Sequence, residues 1–101
     1  SELFVIDVAD IMFFRITNGV IFAILNEKKK YPLTEETLSA LEDQLDPQQF
    51  FRVNRSDIVN IRFIKSIRID DGNDYTVLLK NSEEKLVMSQ SRIAQFKTWF
   101  V

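Results

Sequence analysis

A mainly β domain with two short helices is what this sequence predicts, and three observations predict it. Runs rich in β-branched and aromatic residues recur along the chain, as half-buried strands require. Turn chemistry separates them, led by Asn18-Gly19, two residues that accept positive φ and so close a tight hairpin. Only two windows join helical spacing to a capping residue, residues 34–45 and 91–100. At 101 residues and 46% hydrophobic, the chain is expected to be one domain over residues 1–101 with a core of its own. Nine of its aromatics are Phe, which has no polar group to hold at the surface, so most belong inside.

The elements follow in order. Residues 3–9, "LFVIDVA", and 11–16, "IMFFRI", read as strands, and 20–25, "VIFAIL", as the return from the hairpin. Residues 26–30, "NEKKK", form the next turn, and Lys30 to Pro32 lead out of it. Thr34 is placed to cap the first helix, with Glu35 and Glu36 in its first turn and Leu38, Leu41 and Leu45 on one face. Asp46-Pro47 ends it, because the residue before a proline avoids the α region. "FFRVN" reads as a strand, and Ser56 as the cap of a short helical turn over Asp57 to Asn60. "FIKSIRI" (63–69) alternates, with Phe63, Lys65, Ile67 and Ile69 on one side. "DDGND" is a turn, "YTVLL" a strand, "NSEE" a turn and "KLVM" a strand. Ser91 caps the last helix, whose Ile93, Phe96 and Phe100 form a stripe. Short strands at turn-punctuated intervals suggest a small sandwich or barrel with minor helices.

Absent residues narrow the chemistry. With no His and no Cys, neither the usual zinc ligand sets nor the Ser-His and Cys-His nucleophile pairs can form. Two glycines cannot build a Gly-rich phosphate loop. No metal, cofactor or catalytic residue is therefore expected, and a non-enzymatic role is. No apolar run reaches the length of a membrane span, no signal peptide opens the chain, and the lack of Cys suits the cytoplasm. The missing initiator Met suggests a fragment.

Charge is unevenly spread. The whole chain is −2, yet Phe50 to Arg68 holds Arg52, Arg55, Arg62, Lys65 and Arg68 against Asp57 alone. Lys28, Lys29 and Lys30 form a second basic run, and Lys85, Arg92 and Lys97 lie in a stretch without acids. Acids gather at Glu35–Asp46 and in the turns holding Asp70, Asp71, Asp74, Glu83 and Glu84. One basic and one acidic side is how a near-neutral domain holds nucleic acid. Solvated turns with nearby counter-charges explain the same pattern.

"RVNRSDIVN", residues 52–60, concentrates the most telling polar groups. Arg offers a bidentate fork to guanine, and Asn can pair with adenine. A helix start after Ser56 would add backbone N–H groups for a phosphate. "MSQSRIAQF" repeats the plan, with Ser91 as cap, Gln90 before it and Arg92 in the first turn. The alternative is a pair of tight turns whose polar groups are satisfied internally.

The segment "FFRVNRSDIVNIRFIKSI" resembles the signature of the LytTR family of bacterial DNA-binding domains. The resemblance lies in Phe51, Arg52, Asn54-Arg55-Ser56, Ile58-Val59-Asn60 and Ile64. "DIMFF" (10–14), "YPLTEETLSALEDQL" and "LVMSQSRIAQF" are similar to the family's opening strand, helix and closing turn-plus-helix. The resemblance implies an elongated, multi-sheet β domain that binds double-stranded DNA through loops set in successive major grooves. It implies the output module of a two-component response regulator behind an N-terminal receiver domain, with paired occupancy of repeated half-sites. It places DNA contacts at Asn18, at Arg52, Asn54, Arg55 and Ser56, and at Ser89, Gln90, Ser91 and Arg92. Lys28, Lys29, Lys30 and Arg62 are candidate phosphate contacts. Asn54 and Gln90 stand where the family usually has His and often has Arg, which shifts the recognised bases. Two further readings are a protein–protein interaction module retaining the fold, and a single-strand or RNA binder, which would need exposed stacking aromatics.

Overall fold

A computed structural model describes residues 2–100. The central feature is a five-stranded antiparallel sheet in the order β3-β2-β1-β5-β4, from β1 (Phe13–Thr17), β2 (Val20–Ile24), β3 (Lys30–Pro32), β4 (Phe50–Arg52) and β5 (Asp57–Asn60). A second sheet holds β6 (Ile64–Ile69), β7 (Tyr75–Leu79) and β8 (Lys85–Val87). Two helices, α1 (Leu38–Glu42) and α2 (Ile93–Phe100), complete a body of 48 × 27 × 26 Å. The mainly β, elongated, two-helix expectation holds.

The paired phenylalanines explain the layering. Side chains alternate across a strand, so Phe13 and Phe14 enter opposite faces of the central sheet, as do Phe50 and Phe51. Phe14, Phe50, Ile21 and Ile58 pack with Leu38 and Leu41 of α1. Phe13, Phe51 and Val59 pack with Tyr75, Val77 and Leu86 of the second sheet and Phe96 of α2. The central sheet is thus buried on both sides.

Local expectations fared unevenly. The hairpin forms as read, with Asn18 at φ 51, Gly19 at φ 80 and Thr17 opposite Val20. Residues 3–9 are not a strand. Leu3 and Val5 are fully exposed with no partner strand, and Asp7 instead accepts from Ala9 N at 2.9 Å to cap a 3-10 turn at Val8–Asp10. The first helix starts later than Thr34 and is short. Thr37 is its cap, accepting from Ala40 N at 3.1 Å, though Leu38 and Leu41 are buried as the stripe requires. Asp57–Asn60 is no helical turn but a strand buried between β1 and β4, so Ser56 caps nothing. A bulge between Ile64 and Ser66 breaks the simple alternation of β6, so Ile64 is buried and Lys65 exposed. Ser91 is not the last cap either. A 3-10 turn over Gln90–Arg92 precedes α2, with Ser89 at its cap position. In α2, Phe96 is buried, while Trp99 rests on Phe51 at 5.1 Å and donates from Nε1 to Pro47 O at 2.6 Å.

Candidate nucleic-acid interface

Antiparallel register decides which loops meet. Arg15 of β1 lies opposite Asp57 of β5, so the Asn18-Gly19 tip and the 53–56 connection leave the same end of the central sheet. Ile16 N donates to Ser56 O at 2.9 Å and ties the two together. The third segment joins through Ser89 N to Val53 O at 2.9 Å and Arg92 Nε to Arg52 O at 2.9 Å. Arg52, Asn54, Arg55, Ser89, Ser91 and Arg92, with Glu42, line one shallow concavity of about 260 Å³.

Within this cluster the side chains do different work. Arg55 is exposed, and its guanidinium makes no hydrogen bond or ion pair among the described residues. Arg52 is committed to the scaffold. Its Nε donates to Asn54 O at 3.3 Å, Nη2 to Arg55 O at 3.0 Å and Nη1 to Ser39 Oγ at 3.1 Å, with Glu42 3.9 Å away. Asn54 is saturated: Oδ1 accepts from Ser56 N (2.7 Å) and Asp57 N (2.8 Å), and Nδ2 donates to Asp57 Oδ2 (3.0 Å) and Val87 O (2.7 Å). An amide has two donors and two acceptor sites, and here all of them are met within the protein. Ser56 contributes its backbone rather than a helix cap. Arg92 stacks over Phe51 at 4.8 Å and binds Arg52 O through Nε, and its two terminal nitrogens make no hydrogen bond or ion pair among the described residues. Gln90 is exposed and donates to Asp74 Oδ1 at 2.9 Å, keeping its own carbonyl oxygen open. Ser91 and Asn18 are exposed, and Ser89 is half-buried.

The candidate phosphate contacts fall elsewhere. Lys28 and Lys29 sit in the β2–β3 turn, and Arg62 follows the far end of β5. Both positions lie at the opposite end of the sheet from Ser56. Lys30 packs over Phe22 at 5.3 Å in a groove it shares with Glu27, Glu83 and Glu84. None of the four joins the cluster.

Sequence reasoning missed Arg15. Its Nε donates to Asp57 Oδ1 at 2.7 Å and its Nη1 to Glu84 Oε1 at 3.4 Å. The hydrogen bond to Asp57 is the chief reason its pKa is raised above the usual arginine value. Asp57, at 4% exposure, was the only acid in the basic run, and that isolation was the available clue. Asn60 is fully buried and serves backbone groups, donating to Ile11 O at 2.9 Å and accepting from Arg62 N at 3.0 Å.

Comparison with known proteins accords with this geometry. The family profile described as "LytTr DNA-binding domain" matches residues 1–101. Uncharacterized HTH-type transcriptional regulators of Staphylococcus aureus, from strains COL and MSSA476 among others, are 34% identical over 83 residues, 81% of this chain and 54% of theirs. The chain thus spans about half the length of these relatives. Among solved structures, a LytTr DNA-binding domain from Bacillus cereus superposes with a TM-score of 0.80 at 24% identity, covering 90% of this chain and 81% of that one. Among the described residues α1 and α2 are separated by β4 to β8 and form no helix-turn-helix.

Proposed function

The chain belongs to the LytTR family of DNA-binding domains, and from that premise we propose that it binds double-stranded DNA sequence-specifically through loops at one end of its central sheet. Arg55 is the principal reader, with a fork suited to a guanine edge in the major groove. Gln90 offers a carbonyl acceptor to a base amino group. Arg92, Ser89, Ser91 and the Asn18-Gly19 tip meet the sugar–phosphate backbone, which sets register. Arg52 and Asn54 hold the reading loop in shape, and Ser56 lends it backbone. The observation that carries this reading is the contrast at 52–56: the exposed Arg55 guanidinium has no partner among the described residues, while the flanking polar groups of its loop are tied down.

The curated relatives are about one and a half times as long as this chain, so what adjoins the matching region in them is short. The family resemblance favours a phosphorylated receiver on the N-terminal side, cytoplasmic two-component signalling, and paired occupancy of repeated half-sites. A shift assay with pooled random duplexes, at low and moderate salt, tests the central claim. Enrichment of a defined sequence is the expected outcome. No shift at low salt refutes DNA binding and leaves a protein-interaction role for the fold.

A further inference from the structure

We propose that the Arg15–Asp57 ion pair is a positioning hub that sets the base discrimination exerted by Arg55 and holds the three DNA-facing segments in fixed relation; this rests on the DNA-binding reading above. Asp57 follows Arg55 by two residues and is buried in β5. A buried carboxylate persists only when its lone pairs are answered. Here Arg15 Nε (2.7 Å), Arg15 Nη2 (3.4 Å) and Asn54 Nδ2 (3.0 Å) answer them. Arg15 is on β1, three residues before Asn18, and its Nη1 also reaches Glu84, just before the strand that leads toward Ser89. Asn54, steadied by Asp57, accepts from Ser56 N and Asp57 N and donates to Val87 O, two residues before Ser89. The strand feeding the hairpin tip, the loop bearing Arg55 and the strand feeding Gln90 therefore meet at one pair of opposite charges.

The hub matters because Arg55 has no side-chain anchor of its own among the described residues. Only the loop backbone aims it, and base readout needs a group held to within roughly 0.5 Å of the productive geometry. Arg52 fixes the carbonyls of Asn54 and Arg55 from one side. Asn54 fixes the following N–H groups from the other, and Asp57 with Arg15 keeps Asn54 in place.

The test compares the wild type, Arg55→Ala, Asp57→Asn and the double variant. Each is measured against the selected duplex and against one changed at the base pair whose preference Arg55→Ala relaxes. Arg55→Ala should lower that discrimination by about 5–150-fold. Asp57→Asn, which keeps the shape and removes the charge, should lose most of the same discrimination with its salt slope unchanged. The double variant should lose no more than Arg55→Ala alone. A purely structural role weakens both duplexes equally and preserves their ratio, and that result overturns the proposal. If Arg55→Ala acts and Asp57→Asn keeps the ratio, the hub fails while DNA reading stands. If Arg55→Ala relaxes no position, the reading role of Arg55 fails and the hub's role with it. Should Asp57→Asn not fold, Arg15→Lys keeps a cation opposite Asp57 without the fork. It should lower the same ratio and speed amide exchange at Ser56 and Asp57, and an unchanged ratio is again fatal.

Discussion

Alanine at Asn54 separates a residue that reads DNA from one that holds a loop. The substitution removes four hydrogen bonds. The Ser56 and Asp57 N–H groups lose their acceptor, and Val87 O loses a donor, while Asp57 keeps Arg15. At about 1 kcal/mol net per bond, and with half-buried partners that water can partly reach, the loss comes to about 2–3 kcal/mol. That is a large share of the roughly 5–15 kcal/mol a domain holds in total. With a urea slope of about 2 kcal/mol per molar, the midpoint should fall by about 1–1.5 M. Trp99, the only Trp and packed 5.1 Å from Phe51, reports the transition by fluorescence. An unchanged midpoint combined with a lost base preference would refute this reasoning and return Asn54 to direct readout.

Arg55→Ala should behave in the opposite way. Stability should stay within about 0.5 kcal/mol, while a matched duplex binds about 5–150-fold more weakly, the equivalent of about 1–3 kcal/mol at one base pair. Replacing Lys28, Lys29 and Arg62 together by alanine should leave the salt slope of binding unchanged; a fall of about 0.9 per lost contact would show that these residues do reach phosphates. Asn60→Ala removes buried hydrogen bonds to Ile11 O and from Arg62 N and should cost about 2–4 kcal/mol. Affinity per folded molecule, titrated by active-site counting on DNA, should not change.

How much was legible in the sequence follows from how local each cause is. The Asn18-Gly19 hairpin and β7 were readable because turn chemistry and a short apolar run determine them. The helix cap was not: Thr34 and Thr37 both precede acids or leucines, and only the seating of Leu38 and Leu41 against Phe14 and Phe50 selects the later one. Residues 57–60 looked like a capped turn because Ser-Asp is a local motif. Pairing with β4 just upstream and with the distant β1 overrides it. Likewise "LFVIDVA" has strand composition without a partner strand. At the candidate site, the residue types and their clustering were legible, but the spent amide of Asn54 and the committed guanidinium of Arg52 were not, since hydrogen-bond satisfaction is a tertiary property.

That division among arginines also bears on how a chain of net charge −2 can hold DNA. Arg15 and Arg52 lie near the reading loops yet face inward, one to Asp57 and Glu84, the other to backbone carbonyls, Ser39 and Glu42. Lys28, Lys29 and Arg62 lie at the far end of the sheet. Among the described residues, the uncommitted cationic donors at the cluster come down to Arg55 and the terminal nitrogens of Arg92, with Asp74 close by on Gln90. A single domain so built neutralises few phosphates, about one to two, and its log–log salt slope should be about −1 to −2. A measured slope near −6 or steeper would mean that cations outside this cluster carry the binding, and the assignment of the interface to the 18–19, 52–56 and 89–92 segments would have to be abandoned.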